Sequence, residues 1–283
     1  MSDLEKYEQE ALLKQLRVKW IYNSNAIEGN TLSEGDTSFI IENGLTVQGK
    51  SLSEHHQVIG HMKALDLIYA MLEKKTMEEE DLFLLHKAIQ TEILIDYERP
   101  NGAYKVVANG RWIHIDGKDQ HFYYPLPEDT KHLMDLWFKA FGNISREISS
   151  KDEAIKVYTD MHVSFAGIHP FHDGNGRLAR LISNLPLLKN GYLPIIIDSK
   201  HRAEYIELLS TYNLSSTELD CDTTELIEKS DIYLDLLEFF TEEYKNSEEI
   251  LETLRESKKQ LEQKQRNRRS RETKGSDERN RNN

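Results

Sequence analysis

The chain has a single cysteine, Cys221, in 283 residues. No disulfide can close within it, which excludes a small secreted scaffold held by bridges. It also has no uninterrupted apolar run approaching the roughly 20 residues of a membrane-spanning helix. Its opening, MSDLEKYEQE, is acidic where a secretory signal would be basic and then apolar. These absences imply a cytoplasmic protein with no membrane association. No fixed internal period is visible, so a solenoid is excluded.

Positive charge is scarce overall and unevenly placed. There are 36 Lys+Arg against 49 Asp+Glu, a net charge of −13. Residues 255–283 carry a net charge of +6, leaving −19 on residues 1–254. The acidic body repels bulk nucleic acid, which is not expected as a partner. The basic end could still touch a phosphate backbone or an acidic surface. That end has almost nothing apolar to bury and reads as a disordered tail from residue 265.

What is present is mostly helical pattern. Leu12, Leu13, Leu16, Val18, Trp20 and Ile21 form an amphipathic stretch running toward Asn25. Val58, Ile59, Met62, Leu65, Ile68 and Leu72 predict a second helix over 52–74, with Ser53 as its cap and Glu54 in its first turn. Further helices are predicted over 78–94, 128–142, 151–167, 176–190, 202–213 and 223–264. Between Arg99 and Pro127 the pattern changes. Asn109-Gly110 and Asp116-Gly117 suit tight hairpin turns, and the flanking YKVVA, RWIHI and HFYY are rich in β-branched and aromatic residues. A small hairpin leaning on a helical body is the expectation, because a lone hairpin is marginal in water.

Chemistry concentrates in His169-Pro170-Phe171-His172-Asp173-Gly174-Asn175-Gly176-Arg177, followed by Arg180. Helical patterns on both sides make this a turn between helices. Gly174 and Gly176 allow backbone amides to crowd a ligand, and a helix N-terminus immediately after them favours an anion. Arg177 and Arg180 are spaced to share a helix face and turn to one anion. Asp173 is a hard oxygen ligand suited to Mg²⁺ bridging phosphates. His169 can take a proton near neutral pH, and Phe171 reads as an apolar peg. Taken singly, His169 would read as a structural histidine and the arginines as partners for neighbouring acids. His169, His172 and Asp173 match no common zinc spacing. Together the residues amount to equipment for phosphoryl or nucleotidyl transfer.

At these positions the sequence resembles the Fic (filamentation induced by cAMP) family, whose motif H-x-F-x-(D/E)-G-N-G-R-x-x-R is matched at every fixed place. The resemblance implies an all-α core with a small β-hairpin flap over the active site. It implies transfer of AMP from ATP to a Ser, Thr or Tyr hydroxyl of a protein target, the enzyme itself included. His169 would be the general base and Asp173 the Mg²⁺ ligand. Gly174, Asn175, Gly176 and Arg177 would hold the phosphates, and Arg180 the γ-phosphate. The intact Gly176-Arg177 pair favours AMP over transfer of phosphate or phosphocholine. Ser24-Asn25-Ala26-Ile27-Glu28-Gly29 also resembles the family's inhibitory motif, (S/T)-x-x-x-E-(G/N). By that resemblance Glu28 pairs with Arg180 and takes the place of the γ-phosphate. Gly102, Tyr104, the 106–115 strands and Pro125 resemble the family's flap, which pairs with the target backbone. Tyr205 and Tyr212 are candidates for the adenine side or for the core.

The expected organisation is an inhibitory helical segment at 1–40, a Fic core at 41–215, a helical extension at 216–264 and a basic tail at 265–283. The extension offers a surface for a homodimer. Two alternatives share the sequence: removal of AMP, with Glu28 orienting water, and a non-enzymatic nucleotide-responsive regulator that binds through its tail.

Overall fold

The computed structural model describes residues 6–91, 97–115 and 117–281. Its organising element is α6 (Lys151–Ile168), buried on nearly every turn from Ala154 to Ile168. Ser150 caps it by accepting the Glu153 N–H. Around it pack α5 (Pro127–Phe141), α7 (Asn175–Ile182), α8 (Leu185–Lys189) and α10 (Asp231–Arg281). Trp137 of α5 meets Phe165 edge-on at 5.6 Å, and Phe240 of α10 meets Tyr158 at 5.0 Å. Side chains of this size stabilise by roughly 1.5–3 kcal/mol each when fully buried.

Four helices precede this core. They are α1 (Lys6–Ile27), α2 (Glu34–Asn43), α3 (Leu52–Met71) and α4 (Glu79–Ile89). α1 buries Leu12, Leu16, Trp20, Ile21 and Ile27, packs against α2 and α3, and reaches α7 and α10. A 3₁₀ turn (Ser199–His201) leads into α9 (Arg202–Ser215). The expected all-α class with a hairpin flap is what the structure shows. The flap is an antiparallel pair, β1 (Gly110–Ile115) and β2 (Lys118–Tyr123), in the register Trp112↔His121. No helix among the described residues is long and apolar enough to cross a membrane.

Several boundaries differ from the sequence reading. α2 was not anticipated: Ser33 and Asp36 form a capping box and Gly44 closes the helix at φ 65, but only Phe39, Ile40 and Ile41 signal it by pattern. The cap of α3 is Ser51 rather than Ser53, because Ser51 and Glu54 satisfy each other's backbone N–H groups. Glu54 also accepts from Thr31, and these hydrogen bonds lower its pKa to about 2. The helix predicted over 176–190 is two helices. Pro186 cannot donate to Ile182, and the Asn184 side chain bonds Arg180 O, Ile195 O and the Ile195 N–H instead. The predicted 78–94 helix ends at Ile89, and residues 92–94 lie outside the described ones.

In the flap, residues 106–109 are irregular and β1 begins at Gly110. Asn109-Gly110 is therefore no hairpin turn; the strands are joined past the Ile115↔Lys118 pair, with Gly117 at φ 73 and residue 116 of the predicted Asp-Gly turn outside the described residues. Helix α10 begins at Asp231, since residues 223–230 form turns and loops along the groove beside α9. It continues to Arg281, so the segment expected as a disordered tail is helical here. Its Lys, Arg, Gln and Glu are strong intrinsic helix formers.

Candidate active site

α6 ends in a left-handed residue. His169 caps the helix at φ 50, ψ 58, donating its N–H to Phe165 O, and is the one non-glycine positive φ among the described residues. A bulky side chain held there costs on the order of 1–3 kcal/mol, a strain that structures retain where geometry must be fixed. The following turn is pinned by Phe171, fully buried and stacked on His86 at 4.0 Å. Asn175 clasps the same turn, accepting the Phe171 N–H at 2.9 Å and donating to Phe171 O at 2.8 Å. Gly174 at φ 81 then starts α7, and no side chain caps that helix. Its first N–H groups face the turn, giving the anion-favouring terminus that the sequence predicts.

His169 is enclosed by the flap. Tyr124 stacks on its ring at 3.7 Å with 10° between planes. Its Nδ1 receives the amide groups of Asn109 and Asn175, each at 3.0 Å. Desolvation, with the charges of Lys105, Arg111 and His172, holds its pKa well below the usual histidine value. The half-buried imidazole is therefore neutral at physiological pH. Lys105 is itself buried, and desolvation lowers its pKa to about 8.

The two arginines have different protein partners in this structure. Arg177 donates to Ile89 O and to the Asp173 carboxylate, each at 3.3 Å. Arg180 reaches the other way, with Nε to Ser24 Oγ at 3.0 Å, Nη2 to Ser24 O at 3.0 Å and Nη2 to Glu28 Oε1 at 2.6 Å. Both fixed polar residues of the predicted inhibitory motif thus meet the predicted arginine. The Arg180 side chain is 3% exposed and that of Glu28 41%, so the arginine is fixed and the carboxylate can leave. Glu28 follows the last residue of α1, where the helix dipole disfavours an acid, so Arg180 supplies what the helix does not. The Glu28 backbone N–H bonds Asn25 O, and Arg202 donates to Ile27 O at 2.6 Å. Glu28 Oε1 lies 2.8 Å from where a Cβ on Gly176 would stand, so a side chain there would require the carboxylate to shift.

Asp173 sits on the open side of the turn, its side chain 59% exposed. Among the described residues no three His, Cys, Asp or Glu gather as a metal cage. One exposed carboxylate beside an anion site fits Mg²⁺, which takes its remaining ligands from substrate phosphates and water.

A cavity of about 1040 Å³ opens between β2 and the segment after α9, lined by Phe122, Tyr123, Gly167, Tyr212, Asn213 and Leu219. It is large enough for a nucleoside. Tyr212 faces it. Tyr205 instead lies in the core, linking His162 to Arg180. On the flap, Trp112 and Tyr123 are 73% and 67% exposed, on the strand face opposite Arg111 and Ile113.

Sequence reasoning missed four residues at this site: Lys105, Asn109, Tyr124 and His86. His86 accepts the Gly102 N–H at Nδ1 and donates to Asp173 O at 3.2 Å, tying the flap root to the turn. Burial lowers its pKa to about 4. No local spacing marks these residues; only Asn109 carried a signal, and it read as a turn.

Fold and site together define a helical domain with an imidazole at the rim of a turn that leads into an uncapped helix N-terminus, and a flap above it. Residues 76–187 match the Fic/DOC family, and the chain belongs to that family. It is 31% identical over 203 residues to protein adenylyltransferase fic-1 of Caenorhabditis elegans, covering 72% of this chain and 38% of that protein. To protein adenylyltransferase Fic of Nematostella vectensis it is 32% identical over 203 residues, covering 71% and 44%. The chain thus spans less than half the length of these relatives. Among solved structures, a Fic domain-containing signalling protein of Bacteroides thetaiotaomicron matches with a TM-score of 0.75 at 24% identity, covering 89% and 92%. A fragment of C. elegans Fic-1 matches at 0.66 and 23%, covering 90% and 68%.

Proposed function

We propose that this protein transfers AMP from Mg²⁺-ATP to a Ser, Thr or Tyr hydroxyl of a protein, itself included, and is restrained in cis by Glu28. The observation that carries the reading is the 2.6 Å bond from Arg180, in the last turn of α7, to Glu28, just past the end of α1.

In this reading the target hydroxyl oxygen bonds to the α-phosphorus, the bond to the bridging oxygen of the β-phosphate breaks, and pyrophosphate leaves. His169 takes the hydroxyl proton. Gly174, Asn175, Gly176 and Arg177 line the phosphates, and Arg180 receives the γ-phosphate once Glu28 withdraws. Asp173 would hold Mg²⁺, which supplies neutralisation of phosphate charge. The cavity behind β2 suits the adenine, and the aromatic outer face of the flap suits an extended target segment. We assign residues 1–40 to the inhibitory segment, 41–215 to the Fic core and 216–264 to an extension available for homodimer contact.

The Nδ1 of His169, facing two amide donors, favours a second reading on the same residues. A neutral ring so held carries its proton at Nε2, the form that donates. With Glu28 orienting water, the site would then hydrolyse AMP from a modified protein, His169 protonating the departing hydroxyl oxygen.

Labelling with α-labelled ATP separates these. Glu28→Gly gains protein labelling under the first reading, and adding His169→Ala removes it. A Glu28→Gly protein that binds nucleotide yet labels nothing refutes the transfer, and Glu28-dependent release of AMP establishes the second.

A further inference from the structure

Asn109 stands where the root of the flap meets the imidazole, and its neighbours settle which way its amide points. The Lys105 ammonium, which can only donate while charged, reaches Asn109 Oδ1 at 3.0 Å. On the other side, Asn109 Nδ2 lies 3.0 Å from Phe171 O, which can only accept. The amide is thus fixed with its second N–H on His169 Nδ1, also at 3.0 Å. Asn175 is fixed the same way by the Phe171 N–H and carbonyl, and it too donates to Nδ1. Lys105 is held in turn by its backbone N–H on Pro170 O, so flap and catalytic turn form one frame.

We propose that Asn109, aligned by Lys105, is a positioning residue that holds His169 in the tautomer with its proton at Nε2. Replacing this donor by an acceptor moves that proton to Nδ1 and leaves a lone pair at Nε2. The inference rests on the reading of His169 as the group that handles the proton. It adds what selects the ring's form: a proton donor at Nε2 suits removal of AMP, and an acceptor suits transfer. The charges facing the ring are Lys105 and Arg111 from the flap and His172 from the turn, and all three disfavour the imidazolium. The choice is therefore between two neutral forms.

Asn109→Asp makes the exchange at nearly constant shape. The new carboxylate accepts from Lys105 and from Nδ1–H, two charge-assisted bonds set against two neutral bonds surrendered, from Asn175 to Nδ1 and from Asn109 to Phe171 O, which keeps its bond from Asn175. The full-length protein, with ¹⁵N in its histidine rings, reports the tautomer in long-range ¹H–¹⁵N spectra, His169 being identified by its loss in His169→Ala. The wild-type ring is expected protonated at Nε2. Asn109→Ala is expected to keep that form through Asn175, and Asn109→Asp to invert it. Asn109→Asp is expected to speed labelling in the Glu28→Gly background and to slow AMP release with Glu28 in place, whereas a merely structural role would lower both.

A wild-type ring protonated at Nδ1, or a folded Asn109→Asp protein with an unchanged ring, overturns the proposal. If Asn109→Asp does not fold, the wild-type spectrum decides: a ring protonated at Nε2 supports the proposal, and one protonated at Nδ1 refutes it. The spectra require no reaction, so a failure of transfer activity is distinguishable from a failure here.

Discussion

Glu28 and Arg180, 152 residues apart in sequence, are joined by a hydrogen bond of 2.6 Å between a partly exposed carboxylate and a buried guanidinium. Arg180 is supported from behind by Tyr205 and from α1 by Ser24, so the carboxylate is the replaceable member of the pair. A phosphate brought to Arg180 competes for the same guanidinium nitrogen.

Nucleotide affinity should therefore respond to Glu28. A charge-assisted bond contributes about 1.5–3 kcal/mol, and the exposure of Glu28 favours the lower end. Glu28→Gly is expected to tighten Mg²⁺-ATP binding roughly 10-fold, with AMP affinity nearly unchanged. Calorimetric titration with both nucleotides checks this. Equal tightening for AMP would show that the carboxylate does not stand in for the γ-phosphate.

Gly176→Ala is expected to change sign with background. In the wild type the new methyl collides with Glu28 Oε1 and Arg180 Nη1, at 2.8 and 3.3 Å. In Glu28→Gly the space is partly open, and alanine's helix propensity, worth about 1 kcal/mol over glycine, is recovered. A double-mutant cycle in urea should show coupling of about 1 kcal/mol or more. Additivity would place Glu28 away from Gly176 in solution.

Acid should weaken the fold before most carboxylates titrate. Burial lowers the pKa of His86 to about 4 and of His162 to about 3, and it pushes His61 and His169 well down. Each ring is neutral when folded and gains a proton when unfolded below about 6.5. Their contribution is complete above that pH and declines as pH falls toward the folded values. His201, raised by Glu243, works in the opposite direction. Urea unfolding is expected to show stability lower by several kcal/mol at pH 5 than at pH 7.5, with His162→Gln flattening the slope. A flat profile would mean that these rings are hydrated.

Phe171→Ala should cost about 3–5 kcal/mol, the usual range for a buried ring. It should also weaken nucleotide binding, because the turn loses its anchor on His86 while every phosphate-facing group remains. Thermal unfolding and Mg²⁺-ATP titration of the same preparation check both. Unchanged affinity in the destabilised protein would mean that the turn holds its shape without the ring.

The turn from His169 to Arg180 was legible because its working groups lie within one contiguous stretch, where spacing alone places them. The long helices were legible because apolar spacing carried α1, α3, α5 and α6. α2 was lost because only Phe39, Ile40 and Ile41 mark it, and the break before α8 because Pro186 reads as a helix start only once Asn184 is seen bonding Ile195. Arg180 paired with Ser24 and Glu28 follows from packing α1 beside α7, which no local pattern expresses. Resemblance supplied that pair. Asn109 was misread for a related reason, since an Asn-Gly dipeptide looks the same whether it turns a hairpin or presents an amide to a ring 60 residues away.

Glu28 rides on the end of a rod whose Leu12, Leu16, Trp20 and Ile21 are sunk in the core. Pulling that rod out would dismantle the domain, whereas the Glu28 carboxylate lies just past its last residue, beyond the Ser24 and Ile27 contacts that hold the rod's end to Arg180 and Arg202. In the proposed restraint the brake would lift by release of that carboxylate alone, while the chassis stays bolted.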